Sequence, residues 1–265
     1  MRTYVEGIGL IGPGLPGWHD SRAVLAGTAP YHPVPAVIPA SLLLPPAERR
    51  RAGLPVKLAL AAGAQAFAAA GRDASATATV FTSSSADGQI VHELCATLAA
   101  PGREVSPTKF MNSVHNAAAG YWSIATRSHE PSTSLCCYDA SFAAGLLECA
   151  AQVAVDRKPV ALIAYDEPYP EPLHATRPIG GEFGVALLLT PQSTEESVAA
   201  LDITLVPPTA ETRLPDGELE AARLANPAAR ALPLLAALAR LGMEEVVVLN
   251  YVAGACLHAR VTACD

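Results

Sequence analysis

The chain has 265 residues, 51% of them hydrophobic and only 16% charged, with a formal net charge of −7. That length suits one large domain or two small ones, and that apolar content suits a sizeable core. Disorder as the main state is excluded, since it needs low hydrophobicity with high charge, and a nucleic-acid partner is disfavoured because neutralising phosphates needs clustered Lys and Arg.

Residues 3–11 alternate small and apolar side chains and run into Gly12-Pro13-Gly14, which predicts a strand ending in a turn. Residues 12–56 are rich in Pro and Gly and predict a long, mostly irregular surface excursion. The Ala-rich run 58–70 predicts a helix stopped at Gly71, and 76–82 a buried strand. Asp87 predicts the cap of a helix through about residue 100, with Ile90, Leu94 and Leu98 on one face. Beyond Pro107 the pattern predicts a helix over about 116–127, a short strand over 132–136, and a helix opened by Asp139 through about 155. The continuous apolar run 159–165 predicts a strand buried on both faces. Strands are predicted at 184–189 and 202–206, then a helix over 221–241 broken near Pro227 or Pro233, then two closing strands at 246–249 and 255–261. Strands and helices alternate, so the expected class is α/β with a mostly buried mixed sheet.

Gly7, Gly9 and Gly12 spell GxGxxG at the end of the first strand. In a dinucleotide fold such glycines open a helix whose N-terminus holds pyrophosphate. Here Pro13, Gly14, Pro16 and Gly17 follow, and no acidic residue stands about 20 positions on to hold a ribose. The run therefore reads as a Gly-rich strand and turn. No stretch reaches the ~18 apolar residues of a membrane span. The start of the chain does not read as a signal peptide. The six cysteines, at 95, 136, 137, 149, 256 and 264, form no CxxC pair. Cys256, His258 and Cys264 share a strand face but lack metal-site spacing, so packing is the reading and no metal or cofactor is expected. Buried thiols in a reducing cytoplasm are the plain reading.

Cys137 falls at a predicted strand-to-helix junction, where the positive end of a helix lowers a thiol pKa and makes a nucleophile. Asp139 beside it disfavours a thiolate. His115 and His129, the nearest imidazoles in sequence, belong to no recognisable catalytic motif. A buried small apolar residue is the favoured reading over a nucleophile. Asn112, Ser113, His115 and Asn116 precede the Ala-rich run 117–125. One reading makes Asn116 or Asn112 a helix cap. The other makes residues 117–120 a close-packed subunit contact, with Tyr121 and Trp122 as its aromatic anchors. The two are compatible.

Three runs now bear on identity: SPTKFMNSVHNAAAGYWSIAT from residue 106, STSLCCYDASFAAGLLECAAQ from 132, and PVALIAYDEPYP from 159. Together they resemble the N-terminal half of a β-ketoacyl synthase. More narrowly, they resemble the short β-ketoacyl-synthase-like proteins described as chain length factors of aryl polyene type II polyketide systems. The resemblance is dense over about 82–190, weaker toward the start, and does not place 191–265. It implies one thiolase-like α/β domain over 1–265, truncated to the N-terminal half plus additional C-terminal strands.

The resemblance also puts Cys137 where a condensing enzyme has its acyl-accepting Cys. The surrounding Leu135-Cys136-Cys137-Tyr138-Asp139 departs from the usual pattern. The histidine pair, or His and Asn, that a ketosynthase draws from its C-terminal half is not matched; His174 and His258 stand in other surroundings. The implication is a vestigial Cys137 and no catalytic residue. In the family, the segment equivalent to 106–125 lies at the dimer contact and reaches the partner's acyl tunnel. That makes Phe110, Met111, Asn112, His115, Asn116, Tyr121 and Trp122 the candidates for partner contact and tunnel wall. A bulky wall sets product length without doing chemistry, since each fitted CH₂ is worth roughly 0.8 kcal/mol and overpacking costs ~1–3 kcal/mol. The implied function is a non-catalytic chain length factor paired with a full-length ketosynthase and served by an acyl carrier protein, in cytoplasmic polyketide or fatty-acid-like synthesis. The alternative is a Cys137-dependent acyltransferase or condensing enzyme acting on carrier-protein thioesters.

Overall fold

The structure is a computed structural model that describes residues 1–40, 42–240, 242 and 244–264. The first strand, β1 (Arg2–Ile11), is followed by helices α1 (Trp18–Leu25), α2 (Pro46–Arg51) and α3 (Leu54–Ala70). The excursion expected over 12–56 is irregular over most of its described residues and also holds two short helices and the first turn of a third. Its prolines favour two of those helix starts. Pro46 and Pro55 sit in the opening turns of α2 and α3, where a preset φ helps and the missing amide costs nothing. At its other end α3 stops as its sequence predicts, with Gly71 at a left-handed φ of 60°.

The chain continues with β2 (Ala78–Thr82), α4 (Gly88–Ala99), α5 (Pro107–Asn112), α6 (Ala117–Thr126), β3 (Ser132–Leu135) and α7 (Ser141–Asp156). Then follow β4 (Val160–Asp166), α8 (Leu173–Thr176), β5 (Phe183–Thr190), β6 (Ala199–Val206), α9 (Gly217–Ala225), α10 (Leu232–Ala239), β7 (Glu245–Val252) and β8 (Ala255–Thr262). Asp87 caps α4 by accepting from the Ile90 amide, as expected. Asp139 does not open α7; it lies in a 3₁₀ turn, Tyr138–Ala140, that precedes the helix.

The eight strands among the described residues join one sheet in the order β3-β2-β4-β5-β1-β6-β8-β7. β2 runs parallel to β3 and β4, and every later neighbour pairs antiparallel. Strands β6, β7 and β8, from the stretch that sequence left unplaced, extend the sheet beyond β1: Thr3 pairs with Leu201, and Leu201 with Val261. The central strands β4 and β5 are buried along their whole length, so helices must cover both faces. Side-chain alternation splits them. Val80, Leu162 and Leu187 face α7 and α10, whereas Phe81, Ile163 and Leu188 face α3 and α6.

The glycines of β1 belong to this layering. A Cβ on Gly9 would lie 1.9 Å from the Ala62 carbonyl oxygen, and one on Gly7 2.1 Å from that of Ala66. The GxG run lets β1 lie against the backbone of α3.

Candidate functional site

Three parallel strands, β2, β3 and β4, end on the same side of the sheet, which is where open α/β sheets build their sites. Each runs into a segment at that end: residues 83–87 after β2, 136–140 after β3 and 166–169 at the end of β4.

The β3 segment carries Cys137. Its amide donates to Ser141 Oγ at 3.0 Å, and its carbonyl accepts from Ala140. The strained position is its neighbour Tyr138, whose φ is 52°, a left-handed value uncommon outside glycine. Arg177 ties this elbow down. Its guanidinium lies 3.4 Å from the centre of the Tyr138 ring and pairs with Asp139 at 2.8 Å. Among the described residues no histidine hydrogen-bonds the Cys137 thiol. His115 bonds the Ser83 carbonyl through Nε2 at 3.0 Å instead. His258, on β8, is remote from this end of the sheet.

The β2 and β4 segments are locked together by Asp166. Its Oδ1 accepts from Ser83 Oγ, the Ser84 amide and Ser84 Oγ at 2.8–3.0 Å. The Cys136 thiol donates to the Ser84 carbonyl at 3.2 Å, so one carboxyl group organises all three strand ends. Burial pushes the Asp166 carboxyl up to about 6, against the opposing pull of its serine donors. Next to it, burial pushes Glu167 up to about 8, reinforced by Asp87 and Glu182. Sequence reasoning singled out neither residue. The available signal was an acidic pair closing an apolar strand.

Beside this cluster, an apolar cleft of about 570 Å³ between α4 and α8 is lined by Ser84, Val91, Cys95, Tyr169 and Leu173 among others.

The seven contact and tunnel candidates do not share one environment. Phe110 and Met111 project from α5 at 66% and 55% exposure, next to exposed Val114 and Ile124. Met111, Asn112, Asn116 and Tyr121 line one cavity of about 210 Å³ with Gly120 and Ile124. Within it, Asn112 donates to the Arg51 carbonyl and accepts from the Tyr121 hydroxyl, so neither side chain is free. The capping expectation is corrected here: Asn116 stands at the N-cap position of α6 but its side chain makes no capping bond. His115 points to Ser83, toward the strand ends. Trp122 is 1% exposed, so its expected role as a surface anchor is also corrected. It packs 5.4 Å from the Phe67 ring and 6.3 Å from the Phe81 ring. A Cβ on Gly63 would meet its indole at 2.6 Å, so α3 makes room for it with a glycine.

Comparison with known proteins gives these features a family. Residues 18–240 match the family model described as beta-ketoacyl synthase, N-terminal domain. No curated protein sequence matches the chain. Among solved structures, the complex of the ketosynthase ApeO with its chain length factor ApeC from Xenorhabdus doucetiae contains a chain 20% identical, with 99% of each chain covered and a TM-score of 0.73. The ishigamide ketosynthase/chain length factor matches at 15% identity over 100% of both chains, with a TM-score of 0.74. A structure titled as a type II PKS acyl-carrier protein in complex with its ketosynthase, AntDE:AntF, matches at 11% identity over 99% of both chains, with a TM-score of 0.74. These similarities establish a thiolase-like fold over the whole chain. With the family match spanning most of its length, the chain belongs to the β-ketoacyl synthase N-terminal domain family.

Proposed function

We propose that the chain is a chain length factor: a non-catalytic subunit that pairs with a ketosynthase and shapes the space for an acyl chain carried on an acyl carrier protein. The observation that carries this is the apolar face of α5 and α6. Phe110, Met111, Val114 and Ile124 stand out of one surface at 48–66% exposure, and soluble monomers rarely leave such a cluster uncovered. α6 packs against β3, which is the last strand of the sheet and leaves a row of unpaired amides and carbonyls. A partner seated there would cover both. The chemistry of the elbow favours a structural role. Asp139 and Tyr138 are engaged by Arg177, and His115 by Ser83, so these groups are not arranged to activate a thiol. The neighbours described as ketosynthase/chain length factor complexes support the same reading.

In the pair, decarboxylative condensation with a malonyl unit is the partner's reaction. This chain's side chains would bind, orient and bound the growing acyl chain, with Met111 and Phe110 at the contact. The test is co-expression with a ketosynthase, followed by gel filtration and a condensation assay with an acyl carrier protein. The expected result is a stable complex whose turnover is unchanged by Cys137→Ala within about twofold, since a group that does no chemistry leaves the barrier alone. An acyl adduct on the isolated chain that disappears in Cys137→Ala would instead establish the enzymatic alternative.

A further inference from the structure

A third cavity lies between the starts of α3 and α4 and the segments flanking α8. It holds about 320 Å³ and is lined by Gly53, Leu54, Asp87, Ile90, Glu167 and Glu182, among others. Three of these residues bear carboxyl groups, and none of the lining residues is a Lys or Arg. Glu167 is 5% exposed, and among the described residues its side-chain oxygens have no hydrogen-bond or ion-pair partner. Its carboxyl group opens into a space large enough for a side chain. Asp87 accepts from the Ile90 amide at the start of α4. The cavity therefore gathers three carboxyl groups framed by the apolar Leu54 and Ile90, and an entering cation takes the place of the proton that burial holds on Glu167. A metal ion is the wrong complement: no described group of three or more His, Cys, Asp or Glu is gathered closely enough to ligate one. The right complement is a larger cation with several N–H donors on an aliphatic stem.

We propose that this cavity is a socket for a basic side chain, arginine or lysine, of the partner subunit. The inference rests on the reading of the chain as one half of a pair. Continuity supports the protein source. Gln89 and Ile90 of α4 line the socket, and α4 packs against α5, which bears Phe110 and Met111. The Lys109–Glu93 ion pair fastens the two helices at 2.7 Å. One partner surface thus meets an apolar patch and an acidic socket together, and the chain's net charge of −7 steers a cationic surface toward it. The guanidinium fork suits two carboxylates best.

Two measurements test the proposal. First, the isolated chain is titrated with n-butylguanidinium, with n-butanol as the uncharged control, and amide NMR shifts are followed. Saturable shifts at Gly53, Leu54 and Gln89 with the cation, absent with butanol and weakened about tenfold or more by Glu167→Gln, are expected. No saturable shift in the wild type overturns the socket. Second, association with the ketosynthase is measured against ionic strength for wild type and for Glu167→Gln/Glu182→Gln, whose fold is checked by the same spectra. Affinity about tenfold lower or worse, with a shallower salt dependence, is expected. Unchanged affinity alongside butylguanidinium binding would assign the socket to a free organic cation and overturn the partner assignment. If the wild type forms no complex at all, the pairing itself is wrong, and the butylguanidinium result alone decides whether the cavity takes a cation.

Discussion

Glu167 combines deep burial with acidic neighbours, and both effects act in one direction. Its carboxyl is raised from an ordinary value of 4.5 to about 8, first by burial and then by Asp87, Glu182 and Asp166. A carboxyl raised on folding means that the folded state binds more protons than the unfolded state between those two values. Stability therefore falls as pH rises from about 4.5 to about 8. Glu167→Gln removes this loss while keeping the shape. Its unfolding temperature should lie near wild type at pH 5 and exceed it at pH 9 by roughly 10 °C or more, for at most about 5 kcal/mol. A thermal series across pH checks this; an equal offset at every pH would assign the gain to packing. The glycines give a second contrast at this scale. Gly9→Ala drives a methyl into the Ala62 carbonyl and should cost ~3 kcal/mol or more. Gly120→Ala, on an exposed turn of α6 with open space around it, should gain about 0.5–1 kcal/mol. Urea midpoints of the two variants should move in opposite directions.

Helices α5 and α6 act as a unit, because Asn112 and Tyr121 join them by a hydrogen bond while their outer residues stay apolar. Phe110→Asp with Met111→Asp should leave thermal unfolding of the isolated chain near wild type, since both side chains face solvent. The same pair should weaken the complex about 100-fold or more, if these residues are central to the contact. Calorimetric titration of the partner reads both. The limits of sequence also show at this scale. Strand β4 and helix α3 were legible because a continuous apolar run and an Ala-rich run are strong local signals. Helix α5 was not, because six residues carry less than two turns of periodicity. Trp122 was recognisable as an anchor but not as a core anchor, since cores and interfaces favour the same aromatic types. Glu167 passed unread because a charged pair after a strand ordinarily faces water. The elbow's strain sits on Tyr138, not Cys137, and residue type alone does not locate a left-handed φ.

At the scale of the molecule the sheet has two ends, and they are treated differently. Pairings such as Arg2 with Asp202 join residues far apart in the chain, a register that local pattern does not encode. They place β7 at one edge and β3 at the other. The β7 edge is covered: the Thr212 amide donates to the Val248 carbonyl, and the Val248 amide donates to Thr212 Oγ1. The β3 edge has no such cover among the described residues, although an open edge invites unwanted pairing. Pro131 and Leu135 give their carbonyls to β2, so by alternation Ser134 directs its backbone groups outward, toward the open side. Ser134→Pro removes that one outward amide and leaves the ladder to β2 intact, which an edge strand tolerates. If the partner continues the sheet by pairing with β3, the variant should fold with wild-type secondary structure by circular dichroism yet lose the complex on gel filtration. Retention of a wild-type complex would restrict the contact to side chains of α5 and α6. Loss of folding would show that β3 depends on Ser134 within this chain, and Ser134→Ala, which keeps the amide, would then be expected to restore both the fold and the complex.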